Sequence, residues 1–487
     1  MPVQLKTPEL LRSECYIDGT WKKALKGETF PVHNPSRGII IGKVPNMGSE
    51  ETRLAIEAAH RALPAWKAKT AKERSQLLRR FYELILEHID DLALLMTSEQ
   101  GKPLQEAKGE IRYGASFIEW FAEEAKRIYG DIIPSPVKDQ RLFVIKQPIG
   151  VVAAITPWNF PCAMITRKCA PALAAGCTVV IKPSEKTPLS ALALAELSSR
   201  AGIPPGVFNI ITGDPMAISL EMTTHPLVRK VTFTGSTKVG KELMAQSAHT
   251  VKKVSLELGG LAPFIVFADA NIPSAVEGLI AAKFRNSGQT CVCVNRVFIE
   301  ESIYKPFTKA FIEAVKNLKV GDGLEPGVHQ GPLISMAALE KVERHIQDAL
   351  SKGAHLALGG KRHFLKKTFF EPTVLCNVNP SMLIMKEETF GPVAPLMSFR
   401  KEEEVLEIAN DTEYGLASYI YTNDLNRMWR VSEKLECGMV SVNGGLFSNE
   451  VAPFGGIKES GIGREGSKYG IEEYLECKYI CISKAAS

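Results

Sequence analysis

Hydrophobic positions recur at helical spacing through residues 50–128, then give way to short apolar runs separated by helical segments. Leu77, Leu78, Phe81, Leu84, Ile85 and Ile89 fall on one side of a 3.6-residue period. Thr70 and Glu73, three apart and just ahead of that run, have the spacing of a capping box. The next helix is expected to open near Lys102-Pro103 and to carry Phe117, Trp120 and Phe121, an aromatic stripe read as core.

From residue 142 onward, strands alternate with helices. The continuous apolar run 149–156 (IGVVAAIT) is expected to be a strand covered on both faces. A helix follows at 166–176, then strands at 177–184, 207–213, 228–236 and 254–260. Helical segments after 177–184 and after 228–236 carry Leu189, Leu192, Ala193 and Leu197, and the sequence TKVGKELMAQSA, respectively. This alternation implies right-handed crossovers and a parallel sheet, with ligands beyond the carboxyl ends of its strands. A second α/β region spans about 262–440, with a strand at 263–267 and helices at 277–286 and 303–317. The apolar tail at 471–483 reads as strand, an aggregation hazard unless another chain covers its edge.

A chain of 487 residues exceeds one simple core, and about 150 residues per domain gives roughly three lobes. The expected units are a cofactor-binding unit at 1–128 with 148–260, a catalytic unit at 261–470, and a bridging element at 129–147 with 471–487. Composition, 45% hydrophobic and 23% charged, is that of an ordinary globular protein. The net charge of +5 is spread among 59 basic and 54 acidic residues, and the densest basic stretch, Lys361-Arg362-His363 with Lys366-Lys367, reads as a solvated turn. No nucleic-acid partner is expected. No apolar run is long enough to span a bilayer and the amino-terminal segment lacks a secretory pattern, so a cytoplasmic protein without a membrane partner is expected. Ten scattered cysteines suit reduced thiols, and nine histidines without ligand spacing suggest no metal.

Chemistry concentrates in Thr156-Pro157-Trp158-Asn159-Phe160-Pro161, Leu256-Glu257-Leu258-Gly259-Gly260 and Gly288-Gln289-Thr290-Cys291. Glu387-Glu388-Thr389-Phe390-Gly391-Pro392 and Pro453-Phe454-Gly455-Gly456 follow in order. Together these motifs resemble the aldehyde dehydrogenase superfamily, from about Tyr16 to Ile482. The resemblance implies an aldehyde dehydrogenase-like α/β fold: a Rossmann-like cofactor domain, an α/β catalytic domain and a small β-rich oligomerisation element. It implies a homodimer or homotetramer.

In that chemistry Cys291 is the nucleophile that adds to the aldehyde carbon, and its thiol must be helped to ionise. Asn159, with the backbone N–H of Cys291, would stabilise the alkoxide. Loss of hydride leaves a thioester, which water hydrolyses with Glu257 as general base. Glu257 disfavours transfer to coenzyme A, and the presence of both Cys291 and Glu257 disfavours a silent scaffold. The chain lacks a GxGxxG loop. Phe233, Gly235 and Ser236 open a helix where a pyrophosphate fits. By resemblance, Lys182 and Glu185 hold the adenosine ribose, and Glu388 and Phe390 the nicotinamide ribose. Thr156, Pro157, Trp158, Ser184, Gly213 and Leu258 complete the cofactor set. Glu185 accepts hydrogen bonds from a ribose 2′-OH and repels a 2′-phosphate, so NAD is expected, with NADP possible through Lys182 and Lys186.

Within the superfamily, AMITRK (163–168), KFRNSGQTCVC (283–293) and residues 448–476 resemble succinate-semialdehyde dehydrogenase. Arg167, Arg285 and Ser448 match that group's substrate-carboxylate contacts, and guanidinium groups suit a carboxylate that loses hydration in a narrow pocket. The implied substrate is succinate semialdehyde, in 4-aminobutyrate degradation. Glutarate semialdehyde, one carbon longer, carries the same two functional groups, and a broader aldehyde dehydrogenase is the remaining alternative. Relatives with a Cys-Val-Cys sequence imply a reversible disulfide between Cys291 and Cys293 that blocks catalysis. The alternative is an inert packed thiol at Cys293, because so small a disulfide ring is strained.

Overall fold

The computed structural model of the protein describes residues 3–483. Residues 1–2 and 484–487, the outermost parts of the expected cofactor-binding unit and bridging element, lie outside the described residues.

The amphipathic stretch folds as four helices, Ser49–Ala68, Ala71–Glu87, Ile89–Gln100 and Leu104–Glu124. Thr70 caps the second: its hydroxyl accepts from the Glu73 backbone N–H while Glu73 Oε2 accepts from Thr70 N at 2.7 Å. Leu78, Phe81, Leu84 and Ile85 are buried, so the periodicity marks the inner face.

The strands at Val151–Ile155, Thr178–Lys182, Phe208–Ile210, Val228–Thr234 and Lys253–Glu257 are parallel. In space the strand Val151–Ile155 lies between Thr178–Lys182 and Val228–Thr234, so the strand order reverses there. That reversal opens a crevice at the carboxyl ends, just where Thr156-Pro157-Trp158-Asn159 and Gly235-Ser236 leave their strands. A helix at Pro215–Thr224, absent from the periodicity, completes the third crossover; the polar residues Ser219, Thr223 and Thr224 interrupt its apolar pattern. Helix Ala163–Ala175 opens three residues earlier than expected.

Two antiparallel additions close the edges of this sheet. Cys15–Ile17 pairs at one end. At the other, Gly461–Ile462 pairs with Leu256 and Glu257. The chain therefore rejoins the first sheet ahead of the boundary expected at 470, because the last strand of that sheet would otherwise leave its backbone unpaired beside Glu257.

A second sheet holds, in order, His355–Leu358, Thr373–Cys376, Val393–Phe399, Val294–Glu300, Ala262–Val266, Ala417–Tyr421 and Met439–Val442. All its pairs are parallel except the first. The tail turns through a short helix, Ser467–Glu472, so residues 471 and 472 are helical and the strand begins at Leu475. Leu475–Ser483 pairs antiparallel with Gln140–Pro148, which also pairs with Asp131–Ile133. Tyr479 (60% exposed) and Ile482 (56% exposed) stand on this three-stranded sheet.

Removing the Thr70 hydroxyl is expected to loosen the first turn of its helix without disturbing the core. In Thr70→Ala, hydrogen exchange of the amides at residues 71–74 should accelerate by about 5- to 30-fold, the range for loss of an N-cap worth about 1–2 kcal/mol. Unchanged exchange would show that the cap adds no local stability.

Candidate active site

The loop that carries Cys291 runs from helix Ile272–Phe284 to strand Val294–Glu300 of the second sheet. Its entry is a left-handed turn: Asn286 (φ 51°), Ser287 (φ 58°) and Gly288 (φ 75°) follow one another. Glycine is required at 288, because a Cβ there would lie 2.2 Å from the Gly391 carbonyl oxygen. Gln289 braces the turn, its side-chain amide donating to Asn286 O at 3.0 Å and its Oε1 accepting from Ile334 N at 2.9 Å. Cys291 is half-buried beyond this turn. Burial pushes its thiol up to about 12; Arg167 and, more weakly, Arg285 pull it back, against Glu257 and Glu388.

Asn159 comes to the same place from the first sheet. It is buried, and its Nδ2 donates to Gln289 O at 3.1 Å. An amide nitrogen has two hydrogens, so a second donor remains for an oxygen at the nucleophile.

Glu257 ends the fifth strand of the first sheet and is fully buried, with Oε2 lacking a hydrogen-bond partner. Burial pushes its carboxyl well above the usual carboxylate range, and the nearby Glu465 adds to that; Arg167 and Lys168 oppose it. Glu465 is held below its ordinary value against burial by Lys168 and Arg167, both within ion-pairing distance. Lys168 also donates to Thr234 Oγ1 at 2.6 Å. Two buried carboxylates thus face two buried cations, and Glu257 is the less satisfied carboxylate.

Cys291 borders a small cavity of about 60 Å³ with Tyr113, Arg167, Arg285, Ser448 and Phe454. This cavity adjoins an outer one of about 290 Å³ that shares Tyr113, Phe160, Arg285 and Ser448. The two arginines differ. Arg167 Nη2 lies 2.7 Å from Glu465 Oε2 and its guanidinium stacks 3.9 Å over the Phe454 ring. Its charge is thus already matched inside the protein, which qualifies its expected part in holding substrate. Arg285 stacks on Phe160 at 5.3 Å and, among the described residues, has no carboxylate within ion-pairing distance.

Most of the residues expected to hold a dinucleotide lie at or just beyond the carboxyl ends of the first sheet's strands. Ser236 caps helix Thr237–Ala248, and Gly240 lets that helix close on Leu258, whose Cδ2 a Cβ would meet at 2.4 Å. Gly235 makes room in the same way for the Phe233 ring. Lys182 is buried, donates to Pro183 O and stands 3.9 Å from the exposed Glu185; burial lowers its pKa. Ser184 hydrogen bonds to Glu185 at 3.4 Å. Thr156 Oγ1 is buried without a partner. Trp158, next to Pro157, meets Phe390 edge to face at 5.6 Å. Glu388 accepts from Gly260 N at 3.2 Å, and burial raises its carboxyl to about 7. An orphaned hydroxyl, a buried cation and the amino end of helix Thr237–Ala248 fit a phosphate-bearing cofactor. Gly213 has a packing reason of its own: a Cβ there would sit 2.1 Å from Met47 O.

The structure keeps the two neighbouring thiols apart in their roles. Cys293 is 1% exposed, its sulfur in contact with Lys283 Nζ at 3.3 Å and donating to Lys283 O at 3.4 Å. A bond to Cys291 would require it to leave those partners.

Several residues of the site were missed in the sequence. Tyr113 lines the cavity, yet the helical pattern marks such an aromatic only as core; Phe454, quoted only within its motif, lines the cavity too. Lys168 and Glu465 lie 297 positions apart. Asn286 and Gln289 sit inside the cysteine motif, and the rarity of a left-handed turn there gives no sequence signal beyond Gly288.

Comparison with known proteins agrees with this geometry. The model of the Aldehyde dehydrogenase family matches residues 21–480. A glutarate-semialdehyde dehydrogenase of Pseudomonas aeruginosa is 62% identical over 480 residues, covering 99% of each chain. A succinate-semialdehyde dehydrogenase [NADP(+)] of Escherichia coli is 61% identical over 480 residues, covering 99% of this chain and 100% of its own. The crystal structure of a succinate-semialdehyde dehydrogenase from Burkholderia pseudomallei superposes with a TM-score of 0.98 at 60% identity, over 99% of this chain and 100% of the other. An α/β fold with two large, mainly parallel sheets, matched along nearly its whole length by the family model and by these relatives, places this chain in the aldehyde dehydrogenase family.

Proposed function

We propose that this chain oxidises a short aldehyde bearing a distal carboxylate, succinate semialdehyde or its one-carbon-longer homologue glutarate semialdehyde, to the corresponding dicarboxylate. The observation that carries this reading is Arg285, which lines the cavity of Cys291 and, among the described residues, has no carboxylate within ion-pairing distance. A substrate carboxylate there gains a charge-assisted partner where an uncharged aldehyde gains none. Ser448 adds a hydroxyl to the same wall, and Arg167 adds positive potential although Glu465 already neutralises it. Relatives named for each semialdehyde are equally similar, so both substrates stand.

In this reading the Cys291 thiolate adds to the aldehyde carbon. The free N–H of Asn159 and the backbone N–H of Cys291 meet the new alkoxide. When bound, a nicotinamide cofactor supplies the acceptor for the hydride that leaves the substrate carbon. Cys291 then holds a thioester. Glu257 takes a proton from water as it attacks that thioester, a role favoured by its raised carboxyl, since a raised pKa makes its carboxylate a stronger base. Lys182, Ser184 and Glu185 would hold the adenosine ribose, and Glu388 and Phe390 the nicotinamide side. The Glu185 carboxylate favours NAD, while Lys182 and Lys186 keep NADP usable.

The exposed apolar residues of the three-stranded sheet support a homodimer or homotetramer in which a second copy packs on that sheet. A paired Tyr479→Glu, Ile482→Glu variant, which places a charge on each of its faces, should sediment as a smaller species than the parent. An unchanged sedimentation coefficient would show that this sheet is not the interface.

Arg285→Ala is expected to lower kcat/KM for the semialdehydes by about 10- to 150-fold, the effect of losing about 1.5–3 kcal/mol of charged hydrogen bonding. Butanal turnover should stay within about twofold. Equal losses for butanal would remove the carboxylate-recognition reading.

Glu257→Gln should still release about one equivalent of NADH per subunit in a burst, then stall as the thioester. In the parent, thioester hydrolysis should quicken as pH rises through the raised carboxyl of Glu257, because only the deprotonated form accepts a proton. In the variant that rise should vanish. A variant that turns over steadily with the parent's pH profile would exclude Glu257 as the base.

A further inference from the structure

The turn before Cys291 is unusual in placing a non-glycine pair, Asn286 and Ser287, in the left-handed region. Backbone held there costs conformational energy that surrounding contacts must supply, and such positions cluster where geometry serves function. Serine has no special tolerance for this region, although asparagine does.

The supplying contacts converge on Asn286, which is 1% exposed. Its backbone N–H donates to Glu106 Oε2 at 2.8 Å. Its side-chain Oδ1 accepts from Gln100 Nε2 at 2.9 Å. Its Nδ2 donates to two carbonyl oxygens, that of Asn159 at 3.0 Å and that of Gln289 at 3.2 Å. The Gln289 carbonyl is also the acceptor that orients the Asn159 side-chain amide. Asn286 therefore grips both ends of the candidate oxyanion donor: the main chain of Asn159, and the oxygen that fixes the plane of its amide.

We propose that Asn286 is a positioning residue for the reaction at Cys291, locking the Asn159 amide in the orientation that leaves one N–H aimed at the nascent alkoxide. Asn286 touches neither Cys291 nor the substrate in this account. It acts through Asn159 and Gln289, and it spans the junction between the two sheets, since Asn159 leaves the first and Cys291 leads into the second. Lys102 Nζ also donates to Asn159 O, at 2.7 Å, so the main chain keeps one partner without Asn286. The Gln289 carbonyl would keep only Asn159, and the amide plane would be free to tilt. The inference rests on the proposed role of Asn159.

Asn286→Asp is the discriminating variant. Aspartate keeps the size, the tolerance of the left-handed region and the acceptor for Gln100, but turns the donor into an oxygen facing two carbonyl oxygens. Asn286→Gly, which suits a φ of 51° without strain, tests loss of the amide in a chain whose backbone remains at ease. For both, kcat with succinate semialdehyde and NAD should fall about 100-fold, the effect of a misplaced catalytic group, with each KM within about threefold of the parent.

Alkylation of Cys291 by iodoacetamide forms no oxyanion, so its rate should stay within about twofold of the parent in Asn286→Asp. Asn159→Ala, measured alongside, should lose about 100- to 1,000-fold in kcat. If kcat is unchanged in both Asn286 variants while Asn159→Ala fails, the positioning role is wrong. If alkylation and melting temperature fall together with kcat in both variants, Asn286 merely supports the cysteine loop and the inference is again overturned. If Asn159→Ala itself retains full activity, the assignment of Asn159 fails, and with it the basis for a role of Asn286.

Discussion

At Gly260 the main chain passes so near the nucleophile loop that a Cβ would lie 2.6 Å from the Cys291 carbonyl oxygen, and at Gly259 one would lie 3.2 Å from Glu388 Oε2. These two residues join the last parallel strand of the first sheet to Ala262–Val266 of the second. The close approach brings the segment that follows Glu257 against the loop that carries Cys291, while Glu388 accepts from Gly260 N. A side chain at Gly260 would push the loop that carries Cys291 away from the end of the strand that carries Glu257. The rest of the site is arranged around this constraint.

Burial then sets the electrostatics. Glu257, Glu388 and Cys291 are all pushed up by loss of water, so each is biased toward its neutral form. Cations are supplied unevenly. Lys168 and Arg167 are committed to Glu465, which stays ionised at their expense. Arg285 is not so committed. One arginine of the pair is thus tied to an internal carboxylate as well as cavity-lining, while the other has no carboxylate within ion-pairing distance among the described residues. Identical side chains differ in role here because of what lies opposite them.

Geometry at the cysteine depends on strain as well as charge. Three consecutive left-handed residues turn the chain from helix Ile272–Phe284 toward strand Val294–Glu300, and buried amides from three distant segments hold that turn in place. Cys293, just past the nucleophile, is packed into the protein by Lys283 and Val294. Its surroundings are those of a core thiol, although only two positions separate it from Cys291.

Much of this was legible in the chain itself. The helical period through 77–89, the Thr70–Glu73 cap and the apolar runs at 151–155 and 178–182 depend on local preference and on burial of one face, which neighbouring residues encode directly. The motifs around Asn159, Glu257 and Cys291 were legible because a turn at a strand end needs particular residues in a short span. Helix Pro215–Thr224 was not, since its polar residues blur the period. The pairing of Arg167 with Glu465, the isolation of Arg285, the return of Gly461–Ile462 to the first sheet and the clamp by Asn286 were decided only in three dimensions. Each depends on residues tens to hundreds of positions apart, and an ion pair or a buried amide network forms only where packing brings its members within reach.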